Sequence, residues 1–247
     1  MKEIPPDYYV RMQAVEERHW WHRGMRELEL ALLRERLRPG ARLLDAGCGT
    51  GGFLRFALDA GAAETVAGVD VSAEAIALAR EHVPEAELAV ASVTRLPFPD
   101  ASFDVAVLND VLQHLPEEEV GLALTELRRV LRPGAPLAVR TGASLRARCE
   151  RDDWRTYDRG SLRRDLEGNG FRCDHVTYAN LGGSLVAEAT RRRPHAPTRD
   201  RCGIPSEGGP LGGVVGTALL RAERAFVVRT GAPLPFGHTL LAVATRP

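Results

Sequence analysis

The sequence has no excess of charge of either sign. Its 247 residues include 33 lysines and arginines and 33 aspartates and glutamates, so the formal net charge is zero. Lys2 is the only lysine, which indicates a compositional bias toward arginine. Nucleic acids and anionic membranes attract basic proteins. No basic stripe interleaved with aromatic residues is visible either, so we expect neither a nucleic-acid nor a membrane partner.

Cysteines and long apolar runs are also scarce. No C-x-x-C pair occurs among the four cysteines, so neither a zinc site nor a disulfide framework is indicated and no metal is expected. No run approaches the roughly 18 apolar residues of a membrane-spanning helix, and residues 1–9 have no apolar stretch typical of a secretion signal. The sequence therefore predicts a cytoplasmic protein.

A glycine-rich stretch, residues 42–52, stands out against this background. Ala41 to Leu44 is predicted to be a buried parallel strand, and the spacing of apolar residues from Phe53 onward predicts a helix. Four glycines separate the two, so a ligand could approach the backbone closely. A strand, a glycine loop and a helix N-terminus in this order present free N–H groups to a polar ligand at the carboxyl edge of a sheet.

Two carboxylates distinguish between the ligands that such a loop can bind. The glycines also satisfy the G-x-G-x-x-G spacing of dinucleotide-binding proteins, which is a weak signal without its context. Asp45 would repel a pyrophosphate but could receive a cationic amino group. Asp70 ends the next apolar run, where a carboxylate can accept hydrogen bonds from both hydroxyls of a ribose. A ligand with a ribose and an ammonium is favoured, and a nicotinamide-dependent oxidoreductase is the weaker alternative.

Together with three further motifs, this stretch resembles the class I S-adenosylmethionine-dependent methyltransferases, particularly the group that acts on small molecules. The motifs LDAGCGTG, GVDVS, LPFPDASFD and LRRVLRPGA follow in order at residues 44–51, 68–72, 96–104 and 127–135. The resemblance covers about Arg42 to Phe171. It implies an α/β fold with a Rossmann-like, doubly wound sheet of seven strands, mostly parallel, with the last strand antiparallel.

The resemblance also implies the cofactor, S-adenosyl-L-methionine, and the residues that bind it. One group would hold its methionine part: Asp45, Gly47, Cys48, Gly49 and Gly51. Another would bind its nucleoside: Asp70 the ribose, Val71 and Val93 the two faces of the adenine, and Ser92 the adenine amino group, where the family usually carries an acid. Asn109 stands where a backbone carbonyl often contacts the ammonium of the cofactor.

Asp110 and His114 are the candidate catalytic residues, because they follow the predicted central strand, Val105 to Leu108. If Asp110 lies in a helical turn, the spacing of four puts His114 on the same face. A histidine has the pKa of a general base at neutral pH. A local structural or cofactor-side role for His114 is the alternative. Only an acceptor that must lose a proton, such as a phenol or a sugar hydroxyl, would require the base.

Four aromatic residues are candidate substrate contacts: Trp20, Trp21, Trp154 and Tyr157. The two N-terminal tryptophans lie in a predicted helical region, where packing against the sheet is the alternative role. The other two lie in a charged, irregular segment, Gly142 to Arg159, at the edge where loops commonly determine specificity. A solvated connector with both aromatic side chains packed inward is the alternative.

The chain is predicted to contain four parts. Residues 1–40 form a helical cap, 41–179 the cofactor-binding core, 180–237 an inserted lid or dimerisation segment, and 238–247 the final strand. About 60 residues precede that strand, far more than a hairpin loop requires. Helices are expected at Leu181 to Arg192 and Val214 to Val228, with a Pro- and Gly-rich linker, Pro194 to Gly213, between them. Ser161 is expected to cap a helix that ends at Gly170.

These features predict methyl transfer to the oxygen, nitrogen or carbon of a small molecule in secondary or cofactor metabolism, by a monomer or homodimer. The alternative is a non-catalytic regulatory or structural module that keeps the fold and the cofactor, because a fold does not determine a function.

Overall fold

A seven-stranded mixed sheet organises the protein, for which a computed structural model describes residues 7–143, 155–185 and 210–247. The strand order is β3-β2-β1-β4-β5-β7-β6. Strands β1 to β5 pair in parallel, whereas β7 is antiparallel to both of its neighbours, which confirms the predicted fold class. The strands are β1 (Arg42–Ala46), β2 (Thr65–Asp70), β3 (Glu87–Val90), β4 (Val105–Asn109), β5 (Pro136–Gly142), β6 (Arg172–Ala179) and β7 (Thr239–Thr245).

Helices cover both faces of this sheet. They are α1 (Tyr8–Arg18), α2 (Trp20–Leu33), α3 (Gly52–Asp59), α4 (Ala73–His82), α5 (Glu117–Val130), α6 (Arg159–Gly168) and α7 (Pro210–Thr230). Two short 3₁₀ turns occur at Arg34–Arg36 and Leu112–His114, and residues 181–185 are also helical. One large hydrophobic core joins α5 and α6 to the sheet, and a second joins α3 and α4 to the opposite face. This is the layer arrangement expected of a doubly wound fold.

The N-terminal helices and α7 form a third, smaller cluster. Met25 and Leu28 of α2 pack with Leu220 of α7 and with Ala179 and Leu241, which stand at the end of β6 and near the start of β7. Helix α1 contacts α3 and α4 instead. The N-terminal segment therefore lies against elements that meet at the carboxyl edge of the parallel strands.

Two local predictions differ from the structure, and a third lies largely outside the described residues. Helix α6 begins at Arg159, and its cap is Asp158, not Ser161, because the Asp158 carboxylate accepts a hydrogen bond from the backbone N–H of Ser161 at 2.7 Å. Helix α7 begins at Pro210, so the last four residues of the predicted linker are helical, as the fixed φ of a proline at a helix start allows. The helix predicted from Leu181 is described only to residue 185, and residues 186–209 lie outside the described ranges.

Within the described ranges, every helix is too short or too polar to cross a lipid bilayer.

Candidate cofactor and acceptor site

The glycine loop after β1 is fastened to the neighbouring strand. The backbone N–H groups of Gly47 and Cys48 both donate to the carbonyl of Val69, at 2.7 and 2.9 Å. Gly47 has a φ of 92°, and a β carbon on it would overlap the side chain of Val111. Only glycine satisfies both restrictions. The loop is thus held in one shape by β2 on one side and by the segment after β4 on the other.

Asp70, at the end of β2, organises the loop and the next helix as well. One carboxylate oxygen accepts from the N–H of Gly49 at 3.0 Å, and the other accepts from the N–H of Ser72 at 2.9 Å. Ser72 in turn caps α4 by accepting from the N–H of Ala75 at 3.2 Å, as predicted. Asp70 therefore stabilises the glycine loop and the start of α4. Its predicted role in binding a ribose stays a prediction.

Asp45 is buried at the end of β1 with an exposed fraction of 2%. Its Oδ1 atom has no hydrogen-bond partner among the described residues. Burial raises the pKa of Asp45 well above its usual range, and the neighbouring Glu29 raises it further. An unpaired carboxylate in this position is costly to the fold, which is typical of a group that awaits a ligand.

Helix α2 contributes Glu29 to the same place, with an exposed fraction of 1%. Neither of its carboxylate oxygens has a hydrogen-bond partner among the described groups, and the Nη1 atom of Arg140 lies 3.8 Å from its Oε2. Burial raises the pKa of Glu29 to about 7, against the opposing effects of Arg140 and the amide of Asn109. Sequence reasoning missed Glu29, although a carboxylate beside Leu28 within an apolar helix stripe was a usable signal.

An ion pair between helices α1 and α2, which form the N-terminal cap, lies over the start of α3. Arg26 and Glu16 are 3.0 Å apart, and a β carbon on Gly52 would overlap the guanidinium and lie 2.7 Å from Oε2 of Glu16. A side chain at Gly52 would therefore displace this ion pair. The cap thus places a guanidinium and a carboxylate above the helix N-terminus that ends the glycine loop, and neither was predicted.

Arg140, on β5, pairs with Asp110 at the end of the neighbouring strand β4. Its Nε and Nη2 atoms both donate to Oδ2 of Asp110, at 3.0 and 2.7 Å. Asp110 has a left-handed backbone with a φ of 57°, and the 3₁₀ turn starts only at Leu112. The condition under which Asp110 and His114 would share a helical face is therefore not met. His114 is exposed at the end of that turn, and its role as a general base stays a prediction.

The candidate substrate aromatics lie in different surroundings. Trp20 packs on α7, where a β carbon on Gly216 would lie 2.6 Å from its ring. The ring of Trp21 lies 5.5 Å from the guanidinium carbon of Arg140, beside the charged groups. Tyr157 is fully buried in the larger core, with no surface on which a substrate could rest. Trp154 lies outside the described residues.

The residues predicted to bind adenine also differ in access. Val71 is exposed over 72% of its surface directly after β2, whereas Val93 is buried in the core. The hydroxyl of Ser92 lies 2.8 Å from that of Thr94 and accepts from the Thr94 N–H. Val71 is thus more accessible to a ligand than Val93. The roles of Val71, Val93 and Ser92 in binding adenine stay predictions.

Of two further residues of the predicted binding set, Cys48 is buried and Asn109 is partly buried. The sulfur of Cys48 packs against Gly68, where a β carbon would lie 2.7 Å away, and burial raises its thiol pKa. The side-chain amide of Asn109 has no hydrogen-bond partner at either end among the described residues. Cys48 therefore fills space, whereas Asn109 adds a second unpaired polar side chain beside Glu29.

Acidic groups outnumber basic ones at this edge. Five carboxyl groups and two guanidinium groups there affect one another's pKa values. The carboxyl groups are those of Glu16, Glu29, Asp45, Asp70 and Asp110, and the guanidinium groups are those of Arg26 and Arg140. No set of three side chains suited to holding a metal ion was found in the described parts of the chain. The arrangement suits a cationic organic ligand whose N–H donors can satisfy buried carboxylate oxygens.

The strand order, the glycine loop and the carboxylates near the ends of β1 and β2 are typical of α/β proteins that bind a nucleoside-containing ligand at the carboxyl edge of the sheet. Residues 44–139 match the family described as "Methyltransferase domain". Over 183 residues the chain is 35% identical to a protein of Mycolicibacterium smegmatis named "probable S-adenosylmethionine-dependent methyltransferase", covering 72% of this chain and 68% of that one. The chain belongs to the S-adenosylmethionine-dependent methyltransferase family, whose cofactor is S-adenosylmethionine.

Other similarities cover different portions of the chain. It is 41% identical over 118 residues to the malonyl-[acyl-carrier protein] O-methyltransferase of Pseudescherichia vulneris, which is 48% of this chain and 45% of that protein. The chain thus spans about half the length of the first curated relatives it matches. The geranyl diphosphate C-methyltransferase of Streptomyces coelicolor has the same fold, with a TM-score of 0.59, 17% identity and coverage of 98% of this chain and 85% of that one.

Proposed function

We propose that this protein transfers a methyl group from S-adenosylmethionine to a small-molecule acceptor. The observation that carries the proposal is the buried Asp45, whose Oδ1 has no hydrogen-bond partner among the described residues, in a neighbourhood richer in carboxylates than in guanidinium groups. S-adenosylmethionine carries an ammonium and a sulfonium against one carboxylate, so it brings the net positive charge that this neighbourhood lacks. A pyrophosphate would add negative charge beside Asp45 and Glu29.

Each part of the cofactor has a fitting group on this edge. Asp45 would accept hydrogen bonds from the ammonium, and Arg26, with the N-terminus of α3, would hold the carboxylate. Asp70 would accept from the ribose, and the exposed Val71 would support the adenine. When bound, the cofactor supplies an activated methyl group on a positively charged sulfur. The protein then needs mainly to align the acceptor and to exclude water.

The acceptor would lie at the carboxyl ends of β4 and β5. Trp21 offers an aromatic surface there, over Arg140, which is itself held by Asp110. His114 is the candidate base for an acceptor hydroxyl. Two of the similar proteins are named for methylation of an oxygen and of a carbon, on an acyl-carrier-bound malonyl group and on geranyl diphosphate. These names support a small-molecule acceptor and leave the methylated atom to experiment.

Calorimetric titration of the purified protein with S-adenosylmethionine, S-adenosylhomocysteine and NADH tests the cofactor. We expect the first two to bind and NADH not to bind, and we expect Asp70→Asn to weaken both affinities. Binding of NADH alone would overturn the proposal. Methyl-labelled cofactor is then offered with carboxylates, quinols and amines; label transfer to one class is expected, whereas cofactor binding without transfer to any class would favour the non-catalytic alternative.

A further inference from the structure

We infer that Glu29 of the N-terminal cap is a second recognition group for the cofactor ammonium, acting together with Asp45, so that cofactor binding holds the cap against the sheet. The inference rests on the proposed function, because it names a further residue of the same site. According to this inference, helix α2 also contributes a cofactor-binding group, in addition to the glycine loop and the ends of the strands.

The position of Glu29 on its helix is the first argument. It stands among the residues of α2 that face inward, beside Leu28 and one turn from Met25 and Leu33, all of which are buried. Burying an ionised carboxylate on such a face costs several kcal/mol unless hydrogen bonds compensate for the lost water. No such bond reaches either of its oxygens from the described residues. A group of another molecule with N–H donors would remove that cost.

The groups that face Glu29 do not satisfy it. Arg140 on β5 lies 3.8 Å away, beyond hydrogen-bond distance, and directs its Nε and Nη2 atoms to Asp110 on the turn after β4. Arg26, on α2 itself, pairs with Glu16 of α1 at 3.0 Å. The side-chain amide of Asn109 on β4 lies near enough to Glu29 to lower its pKa, but neither end of the amide makes a hydrogen bond of normal geometry among the described groups. Both guanidinium groups thus make their hydrogen bonds to other groups, and Nη1 of Arg140, the atom that faces Glu29, makes none among the described residues.

Asp45 is the link between Glu29 and the cofactor. Leu33 of α2 belongs to the same hydrophobic cluster as Leu43 of β1. Glu29, one turn before Leu33, raises the pKa of the buried Asp45 at the end of that strand. Both carry oxygen atoms without hydrogen-bond partners among the described residues. An ammonium has three N–H donors and can bridge two carboxylates, whereas a hydroxyl or an amide cannot offer the charge.

A structural ion pair with Arg140 is the competing explanation for Glu29. The two explanations predict different responses to pH. Burial raises the pKa of Glu29 to about 7, so the carboxyl group is partly protonated near neutral pH. An ammonium beside it would lower that pKa and release a proton. Affinity for an ammonium-bearing ligand should therefore rise with pH between about 5.5 and 7.5, the interval in which Glu29 loses its proton.

The test compares Glu29→Gln with Glu27→Gln, a matched change on the same helix, where Glu27 pairs at the surface with Arg224 at 2.7 Å. Each protein is titrated with S-adenosylhomocysteine and with 5′-methylthioadenosine, which lacks both the ammonium and the carboxylate. We expect Glu29→Gln to weaken S-adenosylhomocysteine by at least about tenfold and 5′-methylthioadenosine by less than about twofold. The rise in S-adenosylhomocysteine affinity with pH should shrink in this variant alone.

Equal losses for both ligands, or an unchanged pH profile, would overturn the inference and assign Glu29 to the fold. Unchanged affinity for both ligands would overturn it as well. Failure of the wild-type protein to bind S-adenosylhomocysteine would instead contradict the proposed function itself. Circular dichroism melting of each variant shows that a loss of affinity does not come from unfolding.

Discussion

Two carboxylates at the same edge of the sheet differ in their hydrogen bonding. Asp110, after β4, accepts two hydrogen bonds from Arg140, whereas Asp45, at the end of β1, keeps an oxygen without a partner among the described residues. The two residues belong to neighbouring strands, and either could have been paired with a cation. Asp110 is partly exposed, whereas Asp45 is almost fully buried, so the missing partner is more costly at Asp45. We therefore expect Asp45 to bind a ligand and Asp110 to support the edge around it.

Arg140→Met should have the largest effect on the paired side. Removing the guanidinium leaves Asp110 without its ion pair and the buried Glu29 without its nearest cation. Because Asp110 is partly exposed, we expect a loss of about 3 kcal/mol, the lower end of the range for buried pairs. Urea unfolding monitored by circular dichroism measures this loss. Combining it with Asp110→Asn should recover part of the stability. A loss below about 1 kcal/mol would mean that the pair does not support this edge.

Glu29→Gln should change how stability depends on pH. The folded protein holds a proton on Glu29 up to about pH 7, whereas the unfolded chain releases it near the usual pKa of 4.5. The wild-type free energy of unfolding should therefore fall as pH rises from about 4.5 to 7, by roughly 3 kcal/mol from this group. In Glu29→Gln this decline should be smaller. A steeper decline in the variant than in the wild type would contradict the assignment.

Gly47→Ala tests the glycine loop that begins two residues after Asp45. The substitution combines a left-handed backbone with overlap against Val111, so we expect a loss of about 2 kcal/mol in stability and weaker cofactor binding. Gly61→Ala is the matched control, because Gly61 has a φ of 62° with nothing near its missing β carbon. The control should lose about 1 kcal/mol and keep its affinity. Equal effects at the two glycines would show that the overlap is unimportant.

Ser72→Ala should have the smallest effect. It removes the side-chain cap of α4 but leaves the N–H of Ser72 bonded to Asp70. A loss of about 1 kcal/mol in stability is expected, with cofactor affinity changed by less than about twofold. Thermal unfolding and calorimetry measure the two quantities. A loss of affinity larger than that of Gly47→Ala would transfer the organising role from the loop to the helix cap.

The central part of the fold could be predicted because its signals are local. Apolar runs, the glycine loop and the ordered motifs predicted the parallel strands and Asp70 at the end of β2. The remaining site groups come from distant segments. Glu29 and Arg26 belong to α2 and Arg140 to β5, and only packing brings them to the end of β1.

Local backbone geometry accounts for the other differences. The left-handed backbone of Asp110 separated it from His114, and no spacing rule predicts such a residue. Trp20 and Trp21 are adjacent in the sequence but lie roughly 100° apart around α2, so one packs on α7 and the other reaches Arg140. A sequence pattern that nominates both tryptophans for one role cannot separate them.

The most direct test of the account is the affinity for S-adenosylhomocysteine in Asp45→Asn and in Asp110→Asn, measured by calorimetry together with the free energy of unfolding. We predict that Asp45→Asn lowers the affinity by about 100-fold while the stability is unchanged or higher, because a buried unpaired charge has been removed. Asp110→Asn should lower the stability and reduce the affinity far less. A greater loss of affinity in Asp110→Asn than in Asp45→Asn would contradict the account.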